Sequence, residues 1–156
     1  MYAVEVRDHI MIAHSLAGEV FGPAQKLHGA TYVVDVAFFR ETLTEHGIVV
    51  DIGRAHDALK AALARLNFSN LDEMPEFQGL LTTTEFLCRH IFDDMAQAAQ
   101  SGALGPGSDG LSQIRVTLHE SHVARAWFEG PVGTGGTGTG GTGTGTATDT
   151  APPASE

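Results

Sequence analysis

An α+β fold is predicted for this 156-residue chain, and three features of its sequence carry the prediction. Two long runs of alternating apolar and polar residues come first, two segments with apolar residues three and four apart follow, and two more extended runs close the folded part. Period two gives a strand one buried face, and period 3.6 gives a helix one buried stripe. A hairpin, two helices and a second hairpin then form a four-stranded antiparallel sheet with both helices on one face.

Each element follows in order. Tyr2, Val4, Val6, Ile10, Ile12 and His14 share one face of the first strand, while Glu5, Arg7 and His9 take the other, with Asp8 as the polar intruder on the apolar side. Gly18, Gly22 and Pro23 mark a loop. Tyr32, Val34, Val36 and Phe38 form the apolar face of the second strand, and the period of two puts His28 on that face. HGIVVDIG reads as a turn or a short extended segment. From Arg54, the residues Ala55, Leu59, Ala62, Leu63 and Leu66 predict a helix of about three turns. Asn67 to Gly79 reads as loop, punctuated by Pro75. Thr82, Thr83 or Thr84 caps the second helix, with Glu85 placed to complete a capping box and Leu87, Ile91, Met95 and Ala98 as its stripe. Ile114, Val116 and Leu118 begin the third long strand, and Ala124, Ala126 and Phe128 continue extended structure.

Composition sets the boundaries. After Gly130 the chain becomes GPVGTGGTGTGGTGTGTATDTAPPASE, which has too little apolar surface to offset chain entropy, so one domain over 1–130 and a disordered tail over 131–156 are expected. A phosphate loop would need a helix after the glycines, and no helical pattern follows. The formal charge is −10 with Lys and Arg scattered singly, which excludes a nucleic-acid surface. No apolar run approaches the roughly 20 residues of a membrane span, and the start MYAVEVRDH lacks a signal peptide's apolar segment. A single cysteine fits a reducing compartment, so a cytoplasmic protein is expected. Open sheet edges favour oligomerisation.

Polar residues on apolar faces are the candidates for chemistry. His14 and His28 each end a strand on its apolar face, and a hairpin of those strands sets both rings within reach of one metal ion; satisfied rim residues are the alternative. Val116, Leu118, Glu120 and His122 also fall on one face by alternation. Glu120 either marks where the strand leaves the core or anchors a polar ligand at a pocket mouth. Histidines 46, 56 and 90 are expected to be solvated, and Cys88 to be a small buried hydrophobe.

Taken together, these residues resemble the 6-pyruvoyltetrahydropterin synthase and 6-carboxytetrahydropterin synthase family. The match runs from about Val6 to Gly130. IAHSL is similar to the family's first zinc-ligand strand, with His14 in the ligand position; LHGATY is similar to its HGH-aromatic motif, with His28 as second ligand. GIVVDIGRAHDALK resembles the segment before the first helix, LNFSNLDE the L-D-H-x-N-L-D loop, TTTEFL the T-T-E-N helix start and LHESHVARAWFEG the E-T…Y-G end. The resemblance implies the tunnelling fold, ββααββ subunits in trimeric barrels or stacked hexamers, Zn2+ at the site, and a pterin such as 7,8-dihydroneopterin triphosphate as substrate. It implies Glu120 as the pterin anchor, with Thr83, Thr84 and Glu85 beside it.

Departures from the pattern are equally specific. The HGH motif reads His28-Gly29-Ala30, Gly22 and Ala24 stand where the catalytic cysteine is found, and Asn67-Phe68 replaces the Asp-His pair. His122 is an addition that offers a third metal ligand, a general base, or a bystander at the strand edge. Three functions are therefore expected: a zinc-dependent lyase of the pterin or queuosine (7-deazaguanine) pathways, a relative repurposed for another small molecule, or a catalytically silent pterin or purine binder.

Overall fold

The computed structural model describes residues 1–133. The expected tail lies outside the described residues from position 134 onward, and Pro131 still belongs to the last strand.

Strands β1 (Tyr2–His14) and β2 (His28–Arg40) pair antiparallel along their whole length, from Tyr2 opposite Arg40 to His14 opposite His28. Helix α1 (Ile52–Ala64) follows, then a two-residue strand β3 (Ser69–Asn70), helix α2 (Thr84–Gln100), β4 (Gln113–His119) and β5 (Arg125–Pro131). The sheet order is β3-β1-β2-β4-β5. The four long strands are antiparallel, as the alternation predicts, and β3 adds a short parallel partner beside the end of β1, with Ile12 opposite Ser69. This fifth strand corrects the reading of 67–79 as plain loop. Two residues carry no period, so alternation has nothing to detect there.

Both helices cover one face of the sheet. Val6, Ile10, Ile12, Tyr32, Val34, Val36, Phe38, Ile114, Val116 and Leu118 are buried between it and Ala55, Leu59, Leu63, Leu87, Ile91 and Met95. Burying a side chain such as Leu59 stabilises by roughly 1.5–3 kcal/mol. Asp51 caps α1 by accepting from the Arg54 amide at 3.1 Å, so the helix begins at Ile52 rather than Arg54. Thr83 caps α2, its hydroxyl accepting from the Phe86 amide at 3.2 Å. Phe86 therefore holds the N3 position and Glu85 falls one residue short of it, so no capping box forms. Two short 3-10 turns, Leu71–Glu73 and Pro75–Phe77, carry the chain from β3 toward α2, and a third 3-10 segment, Glu19–Gln25, lies between β1 and β2. No described helix is long and apolar enough to cross a membrane.

Candidate functional site

Antiparallel register makes the last pair of β1 and β2 a pair of histidines. His14 and His28 stand directly opposite each other, with ring centroids 4.7 Å apart and ring planes at 60°. His14 is buried, and its Nδ1 lies 3.0 Å from the Thr82 hydroxyl. His28 is half-buried, with Nδ1 2.8 Å from the Lys26 carbonyl oxygen. A carbonyl only accepts, so Nδ1 of His28 carries a proton and donates, which leaves Nε2 as the nitrogen available to a metal. Burial and the neighbouring His28 hold His14 below the ordinary imidazole value, while the Asp72 and Glu120 carboxylates pull the other way. A neutral ring oriented through its second nitrogen is the state a metal ligand requires.

Glu120 lies across the same end of the sheet. β4 ends at His119, and Glu120 is exposed in the turn to β5, where its amide donates to the Ala124 carbonyl at 3.2 Å. The strand does leave the core here, yet the side chain is held, because the Thr84 hydroxyl donates to Glu120 Oε2 at 3.3 Å. The Tyr32 hydroxyl lies 3.4 Å from the same Thr84 oxygen. One chain of contacts thus runs from buried Tyr32 through Thr84 to Glu120, beside the histidine pair. Thr83 is occupied as the helix cap, and Glu85 is exposed in the first turn of α2.

Among the described residues His122 is not grouped with the histidine pair. β4 ends at His119, and His122 lies in the turn to β5. There it lines, together with Glu120, a depression of about 340 Å³ whose other residues are Arg7, Thr31, Val33, His119 and Ser121. Among the described residues, no three His, Cys, Asp or Glu side chains are grouped to hold a metal ion. The imidazole pair therefore fits two positions of a zinc centre, and a third protein ligand is absent from this set.

Several supporting residues gave weaker sequence signals. Thr82, which orients His14, hid within a run of three threonines. Asp72 receives the Ser15 hydroxyl at 2.6 Å and the Ser15 amide at 3.1 Å, tying the 3-10 turn to the end of β1. Asn67 and Phe68, which stand in place of an Asp-His pair, serve the backbone. The Asn67 side chain accepts from the Met11 amide at 3.0 Å, and the Phe68 amide donates to the Met11 carbonyl at 2.7 Å. Phe68 holds a left-handed φ of 58° with its ring 80% exposed. Cys88 is buried in α2 with its thiol pushed up to about 11 by burial, as expected of a structural cysteine. His90 is packed against Phe77 and Phe86, with ring centroids 5.0 and 6.3 Å away, and is not the solvated residue expected.

Comparisons with known proteins bear on the family and the fold. A family model described as 6-pyruvoyl tetrahydropterin synthase matches residues 3–131. A curated Dictyostelium discoideum protein named 6-pyruvoyl tetrahydrobiopterin synthase is 29% identical over 79 residues, a match spanning 49% of this chain and 58% of that relative. The solved Caenorhabditis elegans 6-pyruvoyl tetrahydropterin synthase superposes with a TM-score of 0.68 at 21% identity, covering 83% of this chain and 95% of that one. A Plasmodium falciparum structure of the same name gives 0.63 at 17% identity, covering 83% and 98%. Identities this low carry the fold alone.

Proposed function

Because the chain belongs to the 6-pyruvoyl tetrahydropterin synthase family, we propose that it binds a reduced pterin at the His14–His28–Glu120 end of the sheet and acts on it as a zinc-dependent lyase. The observation that carries the reading is the placement of Glu120, positioned by Thr84 beside two imidazoles set for metal binding.

In this reading Glu120 accepts the paired N–H groups of the heterocycle's guanidine-like edge, a two-point charge-assisted contact. Thr84 donates to Oε2 and fixes the carboxylate plane. His14 and His28 present Nε2 to a zinc ion, oriented by Thr82 and the Lys26 carbonyl. Bound there, the ion would polarise hydroxyl or carbonyl groups of the pterin side chain. A substrate oxygen or a residue of a neighbouring chain would complete its coordination, and His122 could contribute only in the latter way. A homotrimer or homohexamer accordingly forms part of this proposal.

The silent-binder reading has its own support. The only cysteine is Cys88, whose thiol is buried and held protonated, and Asn67 is committed to the backbone of β1. Three measurements on the purified chain separate the readings: zinc content, calorimetric binding of 7,8-dihydroneopterin, and turnover of its triphosphate. Glu120→Gln should weaken pterin binding about tenfold or more, since a hydrogen bond to a charged group is worth about 1.5–3 kcal/mol, while leaving zinc unchanged. His28→Ala should release the zinc. Pterin binding without turnover would select the silent binder, and unchanged affinity in Glu120→Gln would remove the anchor.

A further inference from the structure

The sheet face opposite the helices carries a feature the pterin reading does not use. In the row Arg7, Asp35, Thr117, Trp127, each residue is register partner of the next across β1, β2, β4 and β5. Arg115 and Arg125 flank this row on β4 and β5, and His119 is paired with Arg125. Together they line a depression of about 300 Å³. It shares Arg7 and His119 with the depression that Glu120 and His122 line, but none of His14, His28 and Glu120 is among its own residues.

The chain has nine lysines and arginines against nineteen acidic residues, and three of those nine meet in this basin. Their setting is built. Asp35, whose side chain is only 6% exposed, accepts from Arg7 Nε at 2.6 Å and Nη2 at 2.8 Å, and its Oδ2 also receives His119 Nε2 at 2.8 Å. Both carboxylate oxygens are consumed beneath the surface. The Arg7 side chain stays 64% exposed, with its remaining guanidinium edge directed away from Asp35. Arg115 is held by Glu129 at 2.5 Å, whereas the Arg125 guanidinium makes no hydrogen bond or ion pair among the described residues. Glu5 is the one acidic side chain of the lining not engaged in this way. The Trp127 indole, 59% exposed, forms a flat wall.

Guanidinium groups arriving from three different strands surround a tetrahedral oxyanion better than a planar carboxylate, which one arginine fork satisfies. A depression of this volume also exceeds a single phosphate. We propose that this basin is an anion site for a small phosphate-class ligand, a diphosphate better than a monophosphate, separate from the His14–His28–Glu120 site and independent of the pterin reading. Asp35 and Glu129 act as positioning residues, and Arg125 is the free contact.

Trp127 is the only tryptophan of the chain, so its fluorescence reports the basin directly. The test is a titration of metal-free full-length protein with sodium pyrophosphate and with inorganic phosphate, against sodium chloride at matched ionic strength. A saturable fluorescence change with pyrophosphate, at lower concentration than with phosphate and absent with chloride, is expected. Arg125→Ala should weaken binding about tenfold or more and Arg125→Lys should restore part of it, both with unchanged circular dichroism. His28→Ala should leave the titration untouched. No saturable change, an equal response to chloride, unchanged affinity in Arg125→Ala, or loss of the response in His28→Ala would each overturn the proposal.

Discussion

At the scale of single residues, Asp35 shows how one polar side chain in an apolar run is kept. The Arg7 guanidinium, and after it His119, hold the Asp35 carboxyl below the ordinary carboxylate value of 3.8, against the opposing effect of burial. A depressed folded value means that the ionised carboxylate stabilises the fold above the unfolded value, and that this contribution is lost as pH falls through the folded one. Melting temperature should therefore drop on acidification below about pH 4. Asp35→Asn should be destabilised by about 1–3 kcal/mol at neutral pH and should lose the Asp35 share of the acid dependence. Thermal melts of both proteins across that range check this, and an Asp35→Asn curve parallel to the parent would refute it. Cys88 offers a second residue-scale expectation. With its thiol buried and pushed up to about 11, it should resist a thiol reagent at neutral pH until the protein is unfolded; rapid labelling of the native chain would contradict the packing of α2.

At the scale of elements, the start of α2 does three jobs in consecutive residues. Thr83 caps the helix, Thr84 holds Glu120, and Thr82 orients His14. Thr83→Ala should cost about 1 kcal/mol, and Thr83→Ser should recover most of it. Chemical denaturation measures both, and an Ala variant as stable as the parent would mean that the cap adds nothing. This short segment also marks how far the sequence could be read. Thr82, Thr83 and Thr84 were visible as capping candidates, but three adjacent threonines do not say which hydroxyl turns inward, because that depends on where the helix meets the sheet. The first two strands were legible, His14 and His28 included, since each runs for thirteen residues with an apolar face. Alternation stops with β4 at His119, so it carries no information on how the turn that holds Glu120 and His122 is folded. It also missed β3 and the 3-10 turns, which are shorter than any period. The basin around Asp35 left one trace, an aspartate inside VVDVAFF, but its partners lie 28 and 84 residues away in sequence.

At the scale of the whole molecule, among the described residues, β5 is an open sheet edge and the end of β1 is covered by only two residues of β3. Met11, Phe68, Leu80 and Leu81 are exposed apolar side chains. Light scattering at micromolar concentration should give a trimer or a hexamer, and a monomer there would remove any role for a neighbouring chain at the site. The sheet order has a kinetic consequence as well. β1–β2 and β4–β5 are joined through residues 15–27 and 120–124, whereas β2 meets β4 only after the chain has travelled through both helices, so that Val34 finds Leu118 and Phe39 finds Gln113. The centre of the sheet is thus its most non-local contact, and closing the intervening segment carries a larger entropic cost than closing either hairpin. If that closure is the slow step of chain folding, Val36→Ala and Val116→Ala, which face each other across it, should slow refolding, while Ile12→Ala near the hairpin loop should mainly speed unfolding. Stopped-flow measurements on the concentration-independent phase would read the difference. Equal slowing by all three variants would show that the molecule condenses everywhere at once instead of closing along its midline.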